Sequence, residues 1–283
     1  MQSLWMVAAS FFFACMGVFV KFASDTYSIV EIVFYRSLIS LVFTFTLTRV
    51  RNIPVQTRHW RFQLWRSIIG FVSMFFYFSA ITMLPLATAV TLNYTSPLFL
   101  ALFLSLFGKK PLQPKMFGAL VLGFFGVALL LRPAFHAEQL LGEVAGLCSG
   151  MLAGLAFYNM KELGERGEVE ERTVFYFSLV SFVGSAFWLM FSEFHPIDLT
   201  GGLTLLGMAL FGTLAQLSMT RAYRTGNTLI SASLGYSAVI FSSIFGIAIW
   251  GDSLSINAWF AIALIIASGV LSTWFSRRTN AKK

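Results

Sequence analysis

The sequence predicts an all-α polytopic membrane protein with about ten transmembrane helices in two inverted five-helix repeats. Three observations predict it. Of 283 residues, 57% are hydrophobic, 11% are charged and 32 are Phe, which leaves too few polar side chains to cover a soluble domain. The apolar residues also fall into about ten runs of the roughly 20 residues that a bilayer-spanning helix needs. Finally, the stretch Phe34-Tyr35-Arg36-Ser37-Leu38-Ile39-Ser40-Leu41-Val42 returns half a chain later as Phe175-Tyr176-Phe177-Ser178-Leu179-Val180-Ser181-Phe182-Val183.

The first run, about Leu4 to Phe22, turns at Asp25-Thr26-Tyr27, and the second runs from Ile29 to Thr48. A basic connection with Arg49, Arg51, Arg58, Arg61 and Arg66 leads to the third, which ends near Leu84-Pro85. The fourth spans Ala87 to Leu106; Lys109, Lys110 and Lys115 precede the fifth, which ends near Leu131. After a linker from Pro133 to Gly142, the sixth covers Glu143 to Met160, and a mixed-charge loop with Lys161, Arg166 and Arg172 opens onto the seventh, which holds the echo. The eighth is Leu203 to Thr220, the ninth Leu229 to Trp250 and the tenth Ile256 to Phe275. The repeats are therefore assigned to residues 1–142 and 143–283.

Alternate connections hold nearly all the Lys and Arg behind the net charge of +8. The positive-inside rule then puts both termini in the cytoplasm, in the inner membrane of a bacterium. With about five runs per half, the second half enters the membrane from the opposite side. Its register extends beyond the echo, pairing Leu92 with Leu234, Tyr94 with Tyr236 and Thr95 with Ser237. Inverted repeats of this kind recur in secondary transporters, whose sites lie between interrupted helices near the midplane.

Pro97 lacks an amide hydrogen and clashes with the carbonyl four residues back, so it is expected to free the Asn93 oxygen within the fourth run. Asn93, Tyr94 and Ser96 surround it, and the ninth run offers Gly235, Tyr236 and Ser237 at matching positions, which makes these residues the expected small-molecule site. The bland alternative is a simple kink with hydroxyls bonded to their own helix. Arg36 lies about 10–12 Å inside the outer boundary at 1.5 Å per residue, and lipid exposure would cost at least about 2.5 kcal/mol. It should face protein or water, either clamping helices or meeting an anionic solute. Glu31 is the acid within a run, about 140 degrees around the helix from Arg36; it is expected to carry a proton or an interhelical hydrogen bond. Gly142, Gly146, Gly150 and Gly154 recur every four residues and predict a close packing face. Cys15 and Cys148 fall in apolar runs and form no metal or disulfide pattern.

Tyr35-Arg36 early in the second run, Leu84-Pro85-Leu86-Ala87 before a fourth run with Pro97, and Gly251-Asp252 before the tenth resemble the ten-helix EamA-type members of the drug/metabolite transporter superfamily. The resemblance covers the whole chain and implies export or uptake of small metabolites, amino acids and related compounds among them. It also implies a central cavity built by the first, third, fourth, sixth, eighth and ninth helices. Lys109-Lys110 departs from the family, which often has an acidic residue there.

The expected partners are the lipid bilayer and a small-molecule solute, with proton or solute counter-transport and a homodimer left open; no cofactor, metal or nucleic acid is expected. An enzyme would need converging nucleophile, base or metal groups, and neither a His-Glu cluster nor a Gly-Lys-Ser phosphate loop is present. A scaffold or channel is the other alternative. The topology is checked with cysteine tags in the Arg58 and Lys110 loops of intact cells. They should resist an impermeant thiol reagent applied outside, and ready labelling would reverse the orientation.

Overall fold

The computed structural model describes residues 2–84, 86–107, 114–131, 140–191, 194–251 and 256–280. The expectations for Pro85, Lys109, Lys110 and Asp252 lie outside these residues. The described chain is helical throughout: α1 (Trp5–Ala23), α2 (Ile29–Val50), α3 (Trp60–Met83), α4 (Leu86–Asn93), α5 (Ser96–Leu106), α6 (Pro114–Leu131), α7 (Leu140–Glu165), α8 (Glu170–Leu189), α9 (Leu199–Thr225), α10 (Thr228–Gly235), α11 (Ser237–Trp250) and α12 (Ile256–Asn280). Eight segments among the described residues are long and apolar enough to cross a membrane, and α6 supplies a shorter apolar one. To these, α3 adds a helix of 24 residues whose first turns carry Arg61, Gln63 and Arg66.

The helices start and stop where local chemistry directs. Ser28 opens α2 with a capping box, its hydroxyl accepting from the Glu31 amide while Glu31 accepts from the Ser28 amide. Asn227 caps α10 by accepting from the Leu229 and Ile230 amides, both at 3.2 Å. Gly251, at φ 71°, closes α11 in the left-handed region where a side chain would be strained.

The distribution of side chains is that of a protein in lipid. Val42, Phe125, Val183, Phe187 and Val270 are exposed on the outside. The interior instead holds paired hydroxyls: Ser40 lies 2.6 Å from Thr213, Ser233 lies 2.6 Å from Ser272, and Ser268 donates to the Ala119 carbonyl at 2.7 Å. Lipid satisfies no polar group, so hydroxyls turn inward and bond across helices.

Packing pairs α1 with α9, α3 with α7, α2 with α8 and α6 with α12. Exchanging each helix for its counterpart in the other half, α1 for α7, α2 for α8, α3 for α9 and α6 for α12, returns the same pairs. The broken rod α4–α5 lies along α7, just as α10–α11 lies along α1.

The glycines of α7 form the face against α4–α5. A Cβ on Gly150 would stand 2.6 Å from the Leu92 carbonyl oxygen and closer still to the Thr95 hydroxyl, and one on Gly154 would stand 2.8 Å from the Ser96 carbonyl oxygen. Backbone is the obstacle in both cases, so the contact cannot be relieved by a rotamer change. Gly150→Ala should destabilise the protein by about 1–3 kcal/mol through overpacking. Gly17→Ala, with nothing within 4 Å of its Cβ, should unfold like the parent. Thermal unfolding in detergent checks the pair.

Candidate functional site

The fourth and ninth spans are each two helices. The first breaks at Tyr94 and Thr95, the second at Tyr236, and the breaks occupy the matched register positions. Pro97 sits in the first turn of α5, two residues past the break, where its missing amide hydrogen leaves the Asn93 carbonyl four residues back without the bond a continuous helix would make. The turn before it is held by Thr95, whose hydroxyl donates to the Leu92 carbonyl at 2.6 Å. The Asn93 carbonyl oxygen lies against Gly150, 3.3 Å from where a Cβ would be.

Of the five expected site residues, the breaks bring two together. The Tyr94 and Tyr236 rings have centroids 6.1 Å apart, inclined at 45°, within the range of attractive aromatic pairing. Tyr236 is fully buried and its hydroxyl has no hydrogen-bond partner among the described residues. Its ring fits against Gly123 of α6, where a Cβ would stand 2.6 Å from ring carbon Cδ2. The other three have contacts of their own. Asn93 donates to Ser149 of α7 at 3.0 Å, Ser237 donates to the Leu234 carbonyl of the preceding helix at 2.7 Å, and Ser96 is buried with its carbonyl on Gly154. The carbonyl of Gly235 accepts from Ser10 of α1 at 3.3 Å. Sequence reasoning missed the aromatic flank of Tyr236. Tyr223 of α9 lies close to it and stacks on Phe157 of α7 with centroids 4.8 Å apart.

Arg36 turns into the bundle as expected. It lines a cavity of about 10 Å³, about the room one water needs, with Ser37, Ser40, Val174, Phe177, Ser178, Gly212 and Gln216. Its contact there is weak, from NH1 to the Met74 sulfur at 3.6 Å. Glu31 does not pair with it. Instead Glu31 is fully buried in the first turn of α2 and accepts from the His195 amide at 2.7 Å, with the His195 ring Nδ1 2.9 Å from its second oxygen. The cap and this bond to the segment before α9 account for its burial. Arg66 is a further correction. Assigned to a basic connection, it lies inside α3, 2% exposed, with its guanidinium 4.5 Å from the centroid of the Phe177 ring.

On the face that carries the amino terminus, Glu168 between α7 and α8 is a buried hub. It accepts from Thr57, from Gln63 at 3.0 Å and from Arg172 at 2.7 Å, and His59 Nδ1 lies 3.1 Å from it. Its carbonyl accepts from Arg224 at the end of α9. Glu170 pairs with Arg224 at 2.9 Å, and Glu171 pairs with Arg51. These bonds tie the α2–α3 segment and the ends of α7, α8 and α9 together. Here the pairing of the halves is unequal: α9 packs on both α7 and α8, and no comparable packing joins α3 to α1 or α2 among the described residues.

The sequence model of the EamA-like transporter family matches residues 1–132 and again 140–274. The pseudopaline exporter CntI of Pseudomonas aeruginosa is 31% identical over 266 residues, covering 94% of this chain and 90% of that protein. An uncharacterized transporter of Helicobacter pylori is 27% identical over 278 residues, covering 93% and 91% of the two chains. A riboflavin transporter of Brucella anthropi is 25% identical over 272 residues, covering 94% and 95%. A crystal structure of a protein 18% identical in sequence superposes with a TM-score of 0.87 over 98% of each chain.

Burial alone would raise the Glu168 pKa, but the hydrogen bonds from Thr57, Arg172, Gln63 and His59 outweigh it and hold the carboxyl below its ordinary 4.5. A depressed acid stabilises the fold above its unfolded pKa, and that contribution fades as pH falls through the folded value. The unfolding temperature should therefore drop below about pH 4.5, less steeply in Glu168→Gln than in the parent. At neutral pH, Glu168→Gln should cost about 1–3 kcal/mol by leaving buried donors short of a charged acceptor. Unfolding curves of both proteins across pH 3.5–7 check this.

Proposed function

Because the chain belongs to the EamA-like transporter family, we propose that it is a secondary transporter that exports a small organic metabolite, amino-acid-like or related, by alternating access. Membrane transport of small metabolites follows from the family and its named relatives. Alternating access at a central site rests on the meeting of two interrupted helices, with Tyr94 at one break and Tyr236 at the other, at matched positions of the two halves. Interrupted helices in corresponding places are where secondary transporters build their sites.

The solute would lie beside the tyrosine pair, with Asn93, Ser96 and Ser237 reached when their helix contacts exchange. The unpartnered Tyr236 hydroxyl supports this, since a buried hydroxyl without a hydrogen bond is costly until something bonds it. The two repeats, 1–142 and 143–283, would swap conformations. Packing of α9 on α7 and α8, with no comparable packing of α3 on α1 or α2 among the described residues, is the asymmetry that one state of such an exchange requires. The amino-terminal face would be cytoplasmic, and closed in this state. Export rests on the relative named as an exporter, at 31% identity. The relatives named as riboflavin transporters support a second reading, an uptake carrier for a vitamin-like or nucleoside-like solute.

Counterflow of radiolabelled amino acids and riboflavin into preloaded proteoliposomes tests the reading. Saturable flux stimulated by solute on the far side is expected; linear flux without stimulation would mean a channel, and no flux a scaffold. Alanine variants at Asn93, Tyr94, Ser96, Tyr236 and Ser237 test the site. Loss of one hydrogen bond to a bound solute costs about 1–3 kcal/mol, or roughly 5 to 150-fold in affinity, and Tyr94 and Tyr236 should show the largest losses. Five correctly inserted variants that bind like the parent would move the site elsewhere.

A further inference from the structure

Between α2, α3, α8 and α9, Arg66 lies on the Phe177 ring and Arg36 lines a cavity with that residue, and neither guanidinium has an acidic partner among the described residues. Arg36 shares its cavity with Phe177, and Arg66 lies on the Phe177 ring, 4.5 Å from its centroid. Arg66 is buried, and its Nε and NH1 donate to nothing among the described residues. Among the described residues the acids on these helices and at their ends are already engaged: Glu31 with Ser28 and His195, Glu168 with Thr57, Gln63, His59 and Arg172, Glu170 with Arg224, Glu171 with Arg51, and Asp198 with the Gly201 amide. What surrounds Arg36 instead is neutral: Ser37, Ser40, Ser178 and Gln216 are polar, and Val174, Phe177 and Gly212 complete the lining.

The repeat gives the pair a further meaning. Phe177 is the echo of Arg36, so the second half lacks the arginine at that position. Arg66, also of the first half, reaches in from α3 and places a second cation against Phe177, so both positive charges face the second half from the first. A charge buried without a counter-ion is costly, and the guanidinium fork is shaped for carboxylate oxygens.

We propose that Arg36 and Arg66 form an anion-binding site that receives carboxylate groups of the solute when the helices part from the one-water cavity at Arg36, with dicarboxylates preferred because one cation lines that cavity and the other lies on the Phe177 ring that borders it. This rests on the transport reading above and gives its solute a charge. The serines and Gln216 would complete the shell around the bound oxygens, as donors in a place that lipid leaves dry.

The test is thermal unfolding of the purified full-length protein in detergent, titrated with sodium succinate, neutral succinamide, and sodium chloride matched for ionic strength. Ligands that bind the folded state raise the unfolding temperature, so succinate alone should raise it. Arg36→Gln and Arg66→Gln should each weaken the apparent affinity for succinate at least tenfold, with Arg36→Lys and Arg66→Lys keeping part of it. Chloride acting as well as succinate, or a succinate response unchanged in both Gln variants, overturns the site. If a Gln variant does not insert, phenylglyoxal modification of Arg36 and Arg66 in the parent, read by peptide mass, decides. Protection by succinate upholds the site and its absence overturns it. Counterflow lost with succinate binding intact would overturn the transport reading alone, and counterflow intact with no succinate response would overturn this site alone.

Discussion

A helix can be interrupted inside a bilayer only where protein groups take over the hydrogen bonds that the interruption releases, because lipid offers none. Both interruptions meet that condition, and much of the interior is arranged around them. At the first, Thr95 bonds back to the Leu92 carbonyl and Asn93 reaches Ser149, while Gly150 and Gly154 let the α7 backbone come within reach of the exposed turn. At the second, Ser237 bonds back to Leu234 and Ser10 of α1 donates to Gly235. The two solutions are chemically alike and come from helices that are counterparts in the two halves. Side chains of any size on the α7 face would separate the helices and expose the turn.

The charged residues follow a second constraint. A carboxylate can be buried near a membrane face only if several donors converge on it, and Glu168 collects them from three separate segments of the chain. One buried acid thus couples the α2–α3 segment to the ends of α8 and α9. Parting these elements would leave its charge short of donors, whereas the more exposed pairs around it, such as Arg221 with Glu170 at 3.9 Å, cost little to separate. On the opposite face Glu31 plays a smaller part, joining one helix start to one neighbouring segment. The two faces are therefore closed by unequal chemistry, although the helices behind them pair symmetrically.

Fold class and order of elements were legible in the sequence because they depend on local composition. Apolar run length sets the spans, the echo around Arg36 sets the halves, and the four-residue spacing of glycine on α7 sets a packing face. The breaks were legible in part. Register matching paired the two spans that break and the two tyrosines that meet, and Pro97 begins the helix after the first break.

The sequence by itself thus determined that the chain is a helical, polytopic membrane protein and which spans are interrupted, since each of these is a property of residues near one another in the chain. Tertiary structure alone decided where the side chains of those helices point and which charges meet. Successive residues on a helix differ by about 100 degrees, so Asn93, Tyr94 and Ser96 could not share a face, and only the packing of α7 shows that Asn93 turns away from the tyrosines. Arg66 looked like one more loop arginine after Arg58 and Arg61 until helix α3 was seen to begin at Trp60 and carry it beneath Phe177. Glu168 sat in an unremarkable mixed-charge loop, and its four side-chain partners lie 4 to 111 residues away along the chain. Those contacts exist only once the helices are assembled, because distance in space, not in sequence, sets the energy of a charge.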